Sequence, residues 1–280
     1  MSRLVLVATP IGNMSDMSQR AIDELTSAGL VCCEDTRRTG MLLKNLGIDA
    51  TLMRVDEHTE HASIPRVLDA LNEGRDVCLV TDAGTPGISD PGERIVRAVA
   101  ETAHIVTAVP GPAAFVMALV ISGLPTDRFA FDGFLPRSGK DRANAIADLL
   151  RERRTTVLYE APHRLRRTLE DLFVSLGGQR RIVVSRELTK IHEDVWRGTL
   201  AEAVDHFGGV EPKGEFVLVL EGAADEPAAT VDDIDRLLRA ELAAGVSVRD
   251  AATTVANLTG AAKKNVYNRA LELSKDVGAD

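Results

Sequence analysis

Five short, almost continuously apolar runs fall within the first 110 residues, and amphipathic stretches with helical spacing separate them. The runs cover 4–8, 30–33, 51–55, 77–81 and 105–109; the amphipathic stretches cover 19–28, 39–46, 64–72 and 92–101. Strands apolar on both faces need cover on both faces, and strand–helix alternation supplies it. This half is therefore expected to be a mostly parallel sheet between layers of helices. Ligands of such sheets gather at the carboxyl ends of the strands. Three turn-rich segments stand at those ends. Thr9-Pro10-Ile11-Gly12-Asn13 follows the first run, residues 81–92 follow the fourth, and Pro110-Gly111-Pro112-Ala113-Ala114 follows the fifth. Three irregular loops on one sheet edge make a pocket.

The middle loop, Thr81-Asp82-Ala83-Gly84-Thr85-Pro86-Gly87-Ile88-Ser89-Asp90-Pro91-Gly92, has five Gly or Pro residues among twelve. Most connections of this kind need only about 2–6 residues. Its length and composition suit a fixed ligand loop, in which glycine lets backbone polar groups approach closely and Asp82 and Asp90 supply charge or acceptors.

A helical run over 113–122 leads through Gly123-Leu124-Pro125 into a second set of elements. Strands are expected at 129–134, 156–159, 181–185 and 216–221, with helices at 140–151 and 164–176. The organisation is read as an N-terminal α/β domain over 1–112, a second α/β domain over 113–222 and a cleft between them. An acidic, Pro-containing linker over 222–228 precedes a small C-terminal helical module over 230–280. There, helices at 232–244 and up to Leu258, a break at Thr259-Gly260 and a basic helix through Lys263 and Lys264 have the layout of a helix-turn-helix.

Composition narrows the function classes. Net charge is −9, which argues against a protein that coats nucleic acid indiscriminately. Between Arg137 and Arg167, however, nine Lys or Arg stand against four Asp or Glu, a net of +5 on which a polyanion could dock unless it is only a solvated face. No apolar run has bilayer length, and the N-terminus reads as a first strand rather than a signal peptide. Cys32, Cys33 and Cys78 sit in strand-like runs and are expected to be buried thiols of a cytoplasmic protein.

Neither a Walker loop nor a G-x-G-x-x-G fingerprint is present, so a nucleotide-like ligand would be held differently from an ordinary Rossmann site. No G-x-S-x-G elbow is present either. Glu34-Asp35-Thr36-Arg37-Arg38 ends the second strand and could form a charged site or cap the next helix. Tyr159-Glu160-Ala161-Pro162-His163-Arg164 and Ser185-Arg186-Glu187-Leu188-Thr189-Lys190 repeat the acid–base mixture at two later strand ends. Charges there are costly unless solvated, paired or used on a ligand. His58 and His61, with Glu57 or Glu60, are not joined by a further His or Cys cluster, and no metal is expected. Trp196 and most Phe residues read as core, whereas Phe134 ends a strand and can line the cleft.

Taken in order, Val7-Ala8-Thr9-Pro10-Ile11-Gly12-Asn13, Cys33-Glu34-Asp35-Thr36-Arg37, the 82–92 loop and Pro110-Gly111-Pro112-Ala113-Ala114 resemble one family. Ser122-Gly123-Leu124-Pro125-Thr126, Gly133-Phe134-Leu135-Pro136-Arg137, Tyr159-Glu160-Ala161-Pro162-His163-Arg164 and Arg186-Glu187-Leu188-Thr189-Lys190 continue the likeness. It is the bacterial small-subunit ribosomal RNA (cytidine-2′-O-)methyltransferase family, of tetrapyrrole-methylase fold. The resemblance spans roughly residues 1–222 and, less sharply, the terminal helices; Ala113 and Ala161 stand where the family often has Ser.

The resemblance implies S-adenosylmethionine folded in the interdomain cleft, a homodimer, and methylation of the ribose 2′-hydroxyl of cytidine 1402 in 16S rRNA of the small ribosomal subunit. Neither membrane nor DNA is expected as a partner. It points to Pro10, Asp82, Gly84, Pro86, Gly87, Ile88, Ser89, Ala113, Ala114, Phe134, Pro136 and Tyr159 for the cofactor. Glu34, Asp35, Glu160 and Glu187 are the candidates for proton handling or ribose positioning. Arg37, Arg164, Arg186, Lys190, Lys263 and Lys264 are the candidates for RNA. Methylation of a tetrapyrrole precursor on the same fold, and a non-catalytic RNA-binding or assembly factor, stay open at this point.

Overall fold

In the computed structural model, which describes residues 1–209, 211–224 and 230–276, the first half follows the expected alternation. Its elements are β1 (Arg3–Val7), α1 (Gln19–Ser27), β2 (Leu30–Cys33), α2 (Thr36–Asn45), β3 (Leu52–Arg54), α3 (Glu60–Asn72), β4 (Val77–Leu79), α4 (Glu93–Ala100) and β5 (Ile105–Val109). Every strand pairing is parallel, in the order β3-β2-β4-β1-β5. The apolar runs are explained by two cores. Leu4, Cys32, Leu79 and Val77 pack with α3 and α4 residues on one face; Val5, Val7, Val31, Cys33 and Cys78 pack against Leu25 and Leu43 on the other. The three cysteines are free and buried, and burial pushes the Cys32 and Cys78 thiols up to about 12.

The second sheet mixes directions. It comprises α5 (Ala114–Ser122), β6 (Phe129–Phe134), α6 (Gly139–Leu149), β7 (Thr155–Glu160), α7 (Leu165–Leu176), β8 (Arg181–Arg186), β9 (Asp194–Thr199), α8 (Leu200–Gly208) and β10 (Phe216–Leu220), with strand order β6-β7-β10-β8-β9. Only β6 and β7 run parallel; β10 is antiparallel to both β7 and β8. That reversal matters for the site. It brings the start of β10 to the same edge as the carboxyl ends of β7 and β8. β9 and α8 lie outside the elements anticipated from sequence.

Contacts divide the chain into two compact units, Met1–Ala223 and Ala224–Asp280. Both sheets lie in the first. The second contains α9 (Val231–Ala243), α10 (Val248–Thr259) and α11 (Lys263–Asp276), packed around Leu238, Ala251, Val255, Val266 and Ala270. Gly260, at φ +67°, turns the chain between α10 and α11, and Arg269 grips Asp235 through two bonds of 2.6 and 2.7 Å. Of the linker expected at 222–228, residues 225–228 lie outside the described residues. No helix among the described residues is long and apolar enough to cross a membrane.

Candidate active site

Beyond β1 and β4 the two loops meet. Thr9 and Gly84 exchange both backbone hydrogen bonds, as an antiparallel bridge on an otherwise parallel sheet. Gly84 has φ +89°, a conformation that an L side chain adopts only with strain. The third loop closes on the first by close approach: a Cβ on Gly111 would stand 2.9 Å from the Ala8 Cβ. The far end of the 81–92 loop is held by Glu60, whose Oε1 accepts the N–H groups of Gly92, Arg94 and Ile95 at 3.0, 2.8 and 3.4 Å. A buried carboxylate thus occupies the start of α4 and satisfies donors the helix cannot satisfy itself. Among the described residues no group of three or more His, Cys, Asp and Glu could hold a metal ion.

These loops and the edge of the second sheet enclose a cavity of about 390 Å³. One side is Asp82, Gly84, Ile88, Ser89 and Asp90; another is Ala113, Ala114 and Phe115; the second sheet supplies Phe134, Tyr159, Glu160 and Val217. Phe115, Phe134 and Tyr159 contribute aromatic lining; Phe131, which is not itself part of that lining, stacks on Phe115 at 4.4 Å and meets Tyr159, which also meets Phe134. Ser89 takes φ +58°, strained backbone for a residue other than glycine, at the cavity lip.

The carboxylates divide into two groups. Burial, reinforced by the nearby Glu34 and Asp82, raises Asp90 to about 6. Glu34 is likewise pushed up, by burial first and then by Asp82 and Asp56. Asp35 instead caps α2 and binds Arg37 at 3.0 Å, and hydrogen bonds from Arg37 hold it at about 2. Glu187 accepts from Lys190 Nζ at 2.8 Å and from the Glu215 N–H at 2.9 Å; the Lys190 bond keeps it below the usual range. Glu160 is 3% exposed. It accepts from the Ala161 N–H at 2.8 Å and from the Thr168 hydroxyl, and forms an ion pair with Arg164 Nε at 3.2 Å.

Of the residues expected to hold a cofactor, eight line the cavity: Asp82, Gly84, Ile88, Ser89, Ala113, Ala114, Phe134 and Tyr159. Pro10 lies in a neighbouring depression with Asp35, Arg37 and Arg38, which shares Asp82 with the cavity. Asp82 also accepts from the Asp35 N–H and from Arg38, each at 3.2 Å. Pro136 and Arg164 line a third depression, and Glu187 and Lys190 a fourth beside Gly12. Pro86 and Gly87 line none of these. Arg186 is turned to the Lys213 carbonyl, 2.7 Å away. Lys263 and Lys264 are exposed at the start of α11 in the second unit. Asp90, expected to supply charge or an acceptor from the glycine-rich loop but not named among the cofactor or proton-handling candidates, lines the cavity, as do Phe115 and Glu215–Val217, which sequence reasoning did not assign to the site. Asp90 was at least visible as a carboxylate of the glycine-rich loop, whereas 215–217 required knowing the direction of β10.

Residues 3–204 match the family model for tetrapyrrole (corrin/porphyrin) methylases, and 228–274 match that of the RsmI C-terminal HTH domain. The chain is 44% identical over 278 residues to the ribosomal RNA small subunit methyltransferase I of Synechocystis sp., covering 99% of this chain and 100% of that one. It is 42% identical to the protein of the same name in Mycobacterium tuberculosis, covering 99% and 97%. A crystal structure of uroporphyrin-III C-methyltransferase from Thermus thermophilus, complexed with S-adenosylhomocysteine, superposes with a TM-score of 0.53 at 20% identity. It covers 79% of this chain and 97% of that one, a likeness of fold.

Proposed function

The chain belongs to the ribosomal RNA small subunit methyltransferase I family of tetrapyrrole methylases, and on that premise we propose that it methylates the ribose 2′-hydroxyl of cytidine 1402 in 16S rRNA, with S-adenosylmethionine as donor. The observation that carries the reading is the cavity: aromatic and aliphatic walls with Asp82 and Asp90 set into one side. A sulfonium donor has an apolar-faced adenine, a polar amino-acid end and a positive centre, and this lining suits all three. The volume falls within the roughly 300–1,000 Å³ typical of small-molecule sites. Exposed backbone of the glycine-bent 84–89 segment would hold the polar ends, and Phe134 and Tyr159 the ring. Bound there, the donor supplies a methyl group to an incoming hydroxyl.

The chain's own contribution is alignment and the fate of one proton. The 2′-hydroxyl loses its proton as its oxygen acquires the methyl group. Asp90 is the acceptor we assign, because it faces the cavity and a carboxyl near 6 is ionised at neutral pH yet basic enough to take a proton. Glu34 supports it by holding its affinity for the proton up. Glu160, Glu187 and Asp35 are positioning residues in this scheme, each fastening a segment of the cavity rim.

The same reading takes the protein as a cytoplasmic homodimer acting on the small subunit. The outer edge of β5 and the face of α5 support self-association, since Ile105, Met117, Val120 and Ile121 are exposed there. Incubation with labelled S-adenosylmethionine tests the reaction, with unmodified small subunits in one arm and uroporphyrinogen in the other. Label on a single ribose of 16S rRNA is the expected result, and label only in the tetrapyrrole would overturn it.

A further inference from the structure

We propose that the depression beside Phe134 and Ala161 is a backbone-phosphate subsite for the RNA strand, with Arg137, His163 and Arg167 as its ligands. The proposal rests on the reading of the substrate as RNA. The depression measures about 650 Å³, and its lining includes five basic side chains and no carboxylate. In a chain of net charge −9 that is a local excess of positive charge, only part of which Glu160 and Asp171 offset through Arg164 and Arg142.

Two of the five are already committed. Arg142, 4% exposed, donates to Asp171 at 2.8 Å, to the Pro136 carbonyl at 3.1 Å and to the Thr168 hydroxyl at 2.9 Å. Arg164 binds Glu160 and the Leu135 carbonyl. Arg142, buried, and Arg164, half-buried, fasten the 135–136 carbonyls immediately before Arg137. They are scaffold, which removes Arg164 from the set free to take RNA.

The other three are exposed and come from separate segments: the turn after β6, the turn after β7 and the first turns of α7. Arg137 has no ion pair among the described residues. Among the described residues Arg167 pairs only with Asp171, at 3.7 Å, and that carboxylate is taken more closely by Arg142. Planar guanidinium forks with open donors are suited to phosphate oxygens. Phe134 and Ala161 line both this depression and the cavity. An anion bound here is therefore adjacent to whatever reacts in the cavity, as a backbone phosphate is adjacent to its own ribose.

The test compares the full chain with Arg137→Ala/Arg167→Ala and Arg137→Lys/Arg167→Lys, using small subunits as acceptor. For the alanine pair we expect KM for the subunits to rise about ten-fold at moderate salt. The slope of log K against log salt should flatten by about one, while kcat and the S-adenosylmethionine Kd stay near wild type. The lysine pair should recover most of the affinity, since point charge without the fork is retained. Unchanged KM and slope in an active alanine pair would overturn the subsite. So would a weakened cofactor Kd with unchanged KM, which would give the depression to the donor's carboxylate, or equal inhibition of wild type and variant by inorganic phosphate. Failure of the wild type to methylate ribosomal RNA at all would instead overturn the substrate reading beneath it.

Discussion

Thr9 and Gly84 donate to each other's carbonyls, at 2.9 and 3.0 Å, so the loops that leave two neighbouring parallel strands are stitched together just above the sheet. The bridge makes one rigid lip out of two segments and leaves the rest of the 81–92 loop free to curve round a ligand. It depends on φ +89° at Gly84. A Cβ there would find room, with Ile11 Cγ2 at 3.5 Å, so the cost of Gly84→Ala is backbone strain rather than collision. We expect a loss of about 1–2 kcal/mol in stability, measured by urea unfolding, together with weaker S-adenosylmethionine binding by calorimetry.

Asp90 should show opposite effects on activity and stability. Its folded-state value, about 6, lies above the ordinary 3.8, so the fold favours the protonated form. The resulting penalty is absent below the unfolded value and grows as pH rises through about 6. Asp90→Asn should therefore stabilise the protein on the order of 2 kcal/mol at pH 7–8 and hardly at all near pH 4. The same change should lower kcat by about 10²-fold or more and abolish the rise in rate towards pH 6. Thermal unfolding and pH–rate profiles read the two independently.

Glu60 is remote from the cavity but holds the end of its principal loop. Glu60→Ala leaves the Gly92, Arg94 and Ile95 N–H groups without their acceptor. A loss of about 2 kcal/mol is expected, with a raised KM for the donor and a smaller change in kcat. Glu60→Gln, which keeps one acceptor oxygen, should recover part of both.

Thr168 joins Glu160 to Arg142, donating to the first and accepting from the second. Thr168→Val preserves shape and removes one buried bond from each partner, at a cost of about 1–3 kcal/mol. Chemical denaturation measures it.

Lys263 and Lys264 are exposed at the first turn of α11. If this unit contacts RNA phosphates, neutralising both should weaken small-subunit binding and flatten its salt slope by about one to two. Unchanged binding would assign α10 and α11 a structural role.

Much of the first sheet was legible because Val5, Val31 and Cys78 face one core while Leu4, Cys32 and Leu79 face the other, which shows in sequence as uninterrupted apolar runs. Strand order was not legible: nothing local tells β4 to lie between β1 and β2. β9 was hidden because it is a half-exposed edge strand with only Val195 and Trp196 as large apolar residues. The helix after it was missed as well, although Thr199 and Glu202 carry the Thr-x-x-Glu spacing that the structure uses as a capping box. In the site, glycine- and proline-rich loops marked the cavity rim, but charge alone did not sort the carboxylates. Asp35 and Glu187 are spent on Arg37 and Lys190, and Glu160 on Thr168 and Arg164, whereas Asp90 has no cationic partner among the described residues and is half-buried beside Glu34 and Asp82. Partnering of that kind is a property of tertiary packing.

On the proposed function, this cavity delivers a sulfonium methyl group to a ribose hydroxyl. The most direct measurement is mapping of 2′-O-methylation on 16S rRNA after reaction of the purified protein, wild type and Asp90→Asn, with S-adenosylmethionine and unmodified small subunits. One modified ribose, at cytidine 1402, is expected with wild type, and a much reduced yield with the variant although its donor still binds. Methylation on a base, on a tetrapyrrole alone, or undiminished in the variant would contradict it.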